Sequence, residues 1–221
     1  MPINKEGTIH CYNAVAPLYS FFRKITHKSD NEIMPFVLNV LDPADGDTVL
    51  DAGTGPGIYA IKIAEKARDA RIHGVDLSPN FLKLAERNAR EAGFDHIEFA
   101  QGDLESLPFD DGHFDKLVCA GVISAVPDRE KAAREIYRVV KHGGRALITE
   151  PNKGRDIRDR AFLLLLYIMG AINPKLRGFS AKDISRYYFN QDSFYSLFKK
   201  AGFDAVRVVE RAGSMCAVCF K

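Results

Sequence analysis

Between residues 49 and 57 the chain reads Val49-Leu50-Asp51-Ala52-Gly53-Thr54-Gly55-Pro56-Gly57, a β-rich run that reaches a carboxylate and then three glycines at alternate positions. Glycine serves where a chain must turn tightly and a ligand must approach the backbone closely. Two kinds of ligand use such a turn. A dinucleotide rests its pyrophosphate on a helix N-terminus and asks for G-x-G-x-x-G/A. Here Ile58 stands where that last Gly or Ala should be, and Asp51 would set a negative charge beside the phosphates. A ligand carrying positive charge suits that carboxylate better. Asp76, in Gly74-Val75-Asp76-Leu77-Ser78, and Asp103, in Gly102-Asp103-Leu104, follow two further β-rich runs. A carboxylate ending a strand can accept from both hydroxyls of a ribose. Taken singly, each aspartate reads most simply as an exposed cap or strand end. Three in succession at the carboxyl edge of a sheet, one of them leading into a glycine turn, point to a single ligand site.

The elements that position these groups alternate strand and helix from Asp47 onward, the signature of βαβ units and a parallel sheet. Strands are expected over 48–50, 71–75, 97–100, 116–120 and 146–149. A helix runs near 58–67. Another is capped by Ser78, has Pro79 in its first turn, ends at Gly93, and aligns Leu82, Ala85, Ala89 and Ala92 on one face. Asp128 caps a helix presenting Ala132, Ala133, Ile136 and Val140, and Gly143-Gly144 is expected to stop it and turn into the fifth strand. A helix over 193–200, stopped by Gly202, precedes strands over 205–210 and 215–220 that form a hairpin. The fold class is therefore α/β, a Rossmann-like, doubly wound, mostly parallel seven-stranded sheet with a C-terminal antiparallel hairpin. The organisation expected is a helical cap over 1–45, a core over 46–150, an insertion over 151–190, and a helix and hairpin over 191–221 that complete the core.

The ordered set of motifs resembles the class I S-adenosylmethionine (SAM)-dependent methyltransferases, whose first motif is an acidic residue followed by G-x-G-x-G. Asp51, Gly53, Gly55 and Gly57 match it position for position, with Ala52 and Thr54 between them. SAM carries a sulfonium and an ammonium and has no phosphates, in keeping with Asp51. The resemblance implies that SAM is the methyl donor and S-adenosylhomocysteine the product. It implies that Asp76 and Leu77 hold the ribose, and that Gly102, Asp103 and Leu104 hold the adenine. It also places Cys119, Ala120 and Gly121 beside the methionine part. Arg138-Val139-Val140-Lys141-His142-Gly143-Gly144 resembles the family's R-V-L-K-P-G-G, with His142 in place of proline. The stretch from His10 to Ser20 is similar to the Y-D-x-x-A-x-x-Y-D opening of the ubiquinone/menaquinone-type small-molecule methyltransferases, with Asn13 and Ser20 in the places of Asp. By that resemblance the N-terminal helix closes over the cofactor and brings Tyr12 and Tyr19 toward its methionine end; two tyrosines anchoring an amphipathic helix is the alternative. The likeness covers about 47–150 closely and the final helix and hairpin loosely.

Composition narrows the partners. The chain has 221 residues and a formal charge of +2, with 46% hydrophobic and 27% charged residues, which excludes a disordered or collagen-like chain. A chain this long buries roughly 70% of its unfolded surface, so disulfides and structural metals are not required. The near-balanced charge argues against a dedicated nucleic-acid binder. The opening residues offer no apolar core for a signal peptide, and the longest apolar run, 161–172, is shorter than the roughly 20 residues of a membrane span. A cytoplasmic protein with reduced thiols is expected. The +2 is unevenly spread: residues 151–190 hold eight basic and three acidic side chains, a net +5 that leaves −3 for the rest. In related methyltransferases an insertion here forms a lid over the acceptor. An apolar run with basic flanks suits a small lipophilic or aromatic acceptor, a peripheral membrane contact, or a dimer interface; a buried helix with solvated neighbours is the alternative. Monomer and homodimer both remain open.

No catalytic base is assigned. Many relatives carry a histidine shortly after the fourth strand, where this chain reads Val122-Ile123-Ser124-Ala125-Val126-Pro127. His73, His96, His113 and His142 fall at the opposite edge or its turns and are expected on the surface, while His10 and His27 lie in the cap. Cys216 and Cys219 are three apart on a strand and face opposite sides, so they are packing residues, no metal site is expected, and arsenite-type chemistry is disfavoured. The function expected is methyl transfer from SAM to a small, lipophilic or aromatic acceptor. The alternatives are a SAM-binding regulatory protein without turnover and an NAD(P)-dependent oxidoreductase; an RNA methyltransferase is disfavoured by the lack of an appended basic domain.

Overall fold

The computed structural model describes residues 27–151 and 189–221, together with Asn13. Tyr12, Tyr19, Cys11 and the 152–188 part of the expected lid lie outside the described residues. The described chain runs α1 (His27–Leu41), β1 (Thr48–Ala52), α2 (Ile58–Lys66), β2 (Arg71–Asp76), α3 (Pro79–Glu91), β3 (Glu98–Gln101) and β4 (Phe114–Ala120). A short 3-10 turn, Ile123–Ala125, leads to α4 (Arg129–Val139), β5 (Val140–Pro151), α5 (Gln191–Ala201), β6 (Ala205–Arg211) and β7 (Ser214–Phe220).

These strands form one seven-stranded sheet in the order β3-β2-β1-β4-β5-β7-β6. β1 to β5 are parallel, and β7 runs antiparallel to both β5 and β6. Every residue of β1 is buried, as a central strand covered on both faces should be. One face packs Val37 and Leu41 of α1 and Ala60 and Ile63 of α2 against Val49, Val118 and Leu147. The other packs Ala133 and Ile136 of α4 and Phe194 and Phe198 of α5 against Leu50, Leu117 and Ile148. Cys216 lies in the first cluster and Cys219 in the second, as their spacing on a strand requires. Phe194, Phe198 and Phe203 are each fully buried, and at about 1.5–3 kcal/mol per side chain they anchor the C-terminal elements.

The caps follow the expected chemistry at three helices. The Ser78 side chain accepts from the Phe81 N–H, and the Asp128 side chain accepts from the Lys131 N–H. Asn190 and Ser193 form a reciprocal capping box, so α5 begins two residues before the expected start, with Ser193 inside its first turn. A second difference concerns Gly143-Gly144. α4 already ends at Val139, and the glycine pair lies inside β5, where the pairing with β4 slips between Phe114 and Lys116. Gly143 has φ +80, and a Cβ on Gly144 would come within 2.9 Å of the Asp115 and Lys141 carbonyl oxygens. The pair makes a bulge in a continuous strand; it does not stop a helix. His96, His113 and His142 are exposed, whereas His73 is only half-buried at the surface. Its ring lies 5.7 Å from those of Phe109 and Phe114, with Nδ1 3.2 Å from Glu98. Burial lowers its pKa.

Candidate functional site

Strand order reverses between β1 and β4, and in open α/β sheets ligands bind outside the carboxyl ends of the strands at that point. The glycine turn lies there. Gly53, Gly55 and Gly57 adopt φ of +76, +51 and +81, a left-handed backbone that other residues adopt only with strain. The Gly53 and Thr54 N–H groups donate to the Val75 carbonyl at 2.7 and 2.8 Å, which ties the turn to the end of β2.

Asp51 sits beneath this turn and is 1% exposed. Its Oδ2 accepts from the Thr54 hydroxyl at 2.7 Å and from the Ala60 N–H at 3.0 Å. Gly57, which precedes α2, has no side chain to cap it. The Asp51 carboxylate takes over that duty, supplying an acceptor and a negative charge to the helix N-terminus from the preceding strand. Burial raises its pKa to about 7, against the opposing pull of the Thr54 and Ala60 hydrogen bonds.

Asp76 faces the cleft. Its Oδ2 accepts from the Gly55 N–H at 2.9 Å and its Oδ1 from the Ser78 N–H at 2.8 Å. Burial raises its pKa too. Each carboxylate oxygen keeps further lone-pair capacity for a ligand hydroxyl. Asp103 closes a tight turn, its Oδ1 accepting from the Glu105 N–H at 2.9 Å. Asn13 joins this edge from the N-terminal stretch: the Ser78 hydroxyl donates to its Oδ1 at 2.5 Å, and the Asn80 side chain donates to its carbonyl at 3.1 Å.

The cleft opens to solvent, and together with the open space at its mouth it spans about 1040 Å³. Of the residues expected at the site, the structure brings Gly53, Thr54, Gly55, Asp76, Leu77, Gly102, Asp103, Leu104, Ala120 and Gly121 to its lining. Asp51, Ala52, Gly57 and Cys119 do not line it. Cys119 is fully buried, and a Cβ on Gly57 would meet Ala85 of α3 at 3.1 Å. At Gly55 and Gly121, both with positive φ, an added Cβ would meet nothing within 4 Å among the described residues, so the bare backbone borders space that a ligand can occupy. That cradle, with a carboxylate at one end and carbon along the other, fits SAM.

The apolar lining was not legible as part of the site in the sequence. Tyr59, Val75 and Phe81 contribute on the β2 side, and Val122, Ala125, Val126 and Pro127 on the β4 side. Val122 overhangs the glycine turn, its Cγ2 lying 2.3 Å from where a Cβ on Gly53 would stand. The signal available was positional only: these residues flank the motifs, but carbon lining a cleft has the same composition as carbon lining a core. A second residue missed is Glu150, near the end of β5, 1% exposed. Its Oε1 accepts from the Ser124 N–H at 3.3 Å, and burial raises its pKa to about 7.

Residues 43–202 match the family described as "Methyltransferase domain". The demethylmenaquinone methyltransferase of Listeria monocytogenes is 27% identical over 237 aligned residues, covering 100% of this chain and 97% of that protein. The demethylmenaquinone methyltransferase of Anoxybacillus flavithermus is 28% identical over 209 residues, covering 89% of this chain and 84% of that one. Among solved structures, a SAM-dependent methyltransferase from Aquifex aeolicus shares the fold, with a TM-score of 0.67, 19% identity, and coverage of 90% and 95%. The phosphoethanolamine N-methyltransferase 2 of Haemonchus contortus, crystallised with SAM, gives 0.60 and 25% identity over 78% of this chain and 37% of its own. A glycine cradle at the sheet reversal, in a chain that matches the methyltransferase-domain model and shares its fold with structures of SAM-dependent methyltransferases, leads to one conclusion: the chain belongs to the methyltransferase-domain family and is a SAM-dependent methyltransferase of the class I, Rossmann-like fold.

Proposed function

We propose that this enzyme methylates a small, lipophilic, aromatic acceptor of the hydroquinone type. The observation that carries the reading is the β4-side wall of the cleft, where Val122, Ala125, Val126 and Pro127 offer carbon and no titratable side chain. The demethylmenaquinone methyltransferases to which the chain is similar over its whole length support the same class of acceptor.

Bound SAM supplies an electrophilic methyl group on a sulfonium. Asp76 holds the ribose with the lone pairs that Gly55 and Ser78 leave free. Gly102, Asp103 and Leu104 border the adenine, and the Gly53–Gly55 backbone and Ala120-Gly121 run beside the methionine part. Asp51 supports the turn from below, so its charge acts at a distance on the cationic ligand. In this reading Tyr12 and Tyr19 serve the methionine end, and the 151–190 segment, an apolar run with basic flanks in sequence, serves the acceptor. With the reacting partners held in line, proximity and orientation supply on the order of 7–11 kcal/mol. The apolar wall excludes water; an electron-rich ring carbon takes the methyl as the S–CH3 bond breaks, and the ring proton it displaces then leaves to water, with no residue of the described wall assigned as its acceptor. The enzyme works in the cytoplasm, as a monomer or homodimer.

The test is turnover with SAM and a prenylated 1,4-dihydroxynaphthalene lacking the ring methyl, read by mass spectrometry of the product and of S-adenosylhomocysteine. Methylation at the ring carbon is the expected result. Turnover confined to small polar amines, or to RNA, would overturn the acceptor assignment.

A further inference from the structure

The turn that forms the β4-side wall is held from behind by a carboxylate that never reaches the cleft. Ile123 and Ser124 point inward, 0% and 2% exposed, while their neighbours Val122, Ala125, Val126 and Pro127 line the cleft. Glu150, paired with Met215 of β7, receives this inward side. Its Oε1 accepts from the Ser124 N–H at 3.3 Å, and the Ser124 hydroxyl and Ile123 N–H favour the same carboxylate. From the other direction, the Arg129 guanidinium of α4 donates to the Ser124 carbonyl at 3.0 Å and lies 4.6 Å over the Phe189 ring. The turn is thus fixed at both its N–H and C=O groups.

The remaining oxygen of Glu150, Oε2, is buried and has no hydrogen-bond partner among the described residues. A residue wanted only for packing would be better served by a thioether or aliphatic chain, which leaves no buried oxygen unpaired. What the carboxylate adds is a fixed acceptor for the turn's N–H groups. We propose that Glu150 is a positioning residue for the methyl acceptor: it sets the place of the Val122–Pro127 wall, and through it the acceptor, while leaving the cofactor's contacts alone. This rests on the reading that the cofactor's ribose and adenine lie at the β2 and β3 ends, which puts its methyl end toward β4 and makes the 122–127 turn the surface an acceptor must meet.

Two isosteric replacements in the full chain separate positioning from packing. Glu150→Gln keeps an oxygen for the Ser124 N–H; Glu150→Met keeps the volume and removes the acceptor. Three quantities are measured: the Kd for SAM by calorimetry, the KM and kcat for the prenylated dihydroxynaphthalene, and amide hydrogen exchange across residues 121–128. Glu150→Met is expected to fold, to bind SAM within about twofold of the parent, to raise the acceptor KM about tenfold or more, and to speed exchange in the turn by about tenfold. Glu150→Gln is expected to stay within about threefold of the parent in KM and in exchange. The proposal is overturned if Glu150→Met matches the parent in turn exchange and acceptor KM, or if SAM affinity falls along with the acceptor's. If the parent binds SAM but does not turn over the dihydroxynaphthalene, the acceptor assignment fails by itself, and the exchange data with the SAM Kd still decide the role of Glu150.

Discussion

On the β2 side of the cleft, Asp76 directs both carboxylate oxygens to backbone N–H groups, at Gly55 and Ser78, and Asp103 receives the N–H of Glu105. On the β4 side, Val122, Ala125, Val126 and Pro127 present carbon, and the polar work is done out of sight by Glu150 and Arg129. The first half lines the cleft with carboxylates, and in the proposed reading its specificity comes from hydrogen bonds to the ligand. The second is specific through shape alone, and its hydrogen bonds serve to hold that shape. One half therefore suits a fixed polar molecule common to many enzymes, the other an apolar molecule that differs between them.

Substitutions that separate the halves test this contrast. Gly55→Phe should have the largest effect. Its φ of +51 costs a non-glycine residue roughly 1–2 kcal/mol, and the ring enters the free space beside the turn. Circular dichroism should show a folded chain, and calorimetry no SAM binding at concentrations that saturate the parent; retained binding would count against the cradle. Asp76→Ala comes next. Loss of a charged acceptor is worth about 1.5–3 kcal/mol, so SAM affinity should drop roughly 10- to 150-fold. An unchanged Kd would sink the ribose assignment. Val126→Asn probes the other half: acceptor KM should rise about tenfold while the SAM Kd holds. If both move together, the halves are not independent.

A further test reads pH dependence. Asp51 and Glu150 are raised to about 7 from ordinary values of 3.8 and 4.5. Between roughly pH 4 and 7 the folded chain keeps protons that the unfolded chain releases. These groups therefore favour the fold most at acid pH, and that contribution is lost as pH rises to about 7. Asp51→Asn should raise Tm relative to the parent by more at about pH 8 than at about pH 5; equal gains at both would mean that Asp51 does not titrate in this range.

Much of the polar half was legible in the sequence. The glycine spacing encodes a left-handed backbone, and Ser78 and Asp128 are residues whose side chains compete for a helix N-terminus. What escaped depends on neighbours distant in sequence. Asp51 reads as a ligand-facing anion until the bare Gly57 and the Ala60 N–H show what it caps. Gly143-Gly144 reads as a helix stop until pairing with Phe114 and Lys116 reveals the bulge. Pro127 and Val126 carry no chemical mark; only the reversal of strand order puts them beside a cavity. Glu150 could have been suspected only as an acid in a β-rich, otherwise apolar run.

The position of β7 has a consequence for how the chain acquires its shape. It follows β6 in sequence yet lies between β6 and β5, so β6 cannot join the sheet until β7 has taken its place. The two strands are linked only through Ala212 and Gly213, and such hairpins form in about 1–10 μs. Pairing β7 with β5 instead joins Thr149 to Cys216 across the whole intervening segment, a closure that chain entropy makes slow. The hairpin must therefore assemble first and dock as a unit, and until it does β5 keeps an open edge carrying Leu147 and Ile148. That interval is when the chain is most exposed to misassociation, and mutations in the hairpin should affect yield in the cell before they affect catalysis.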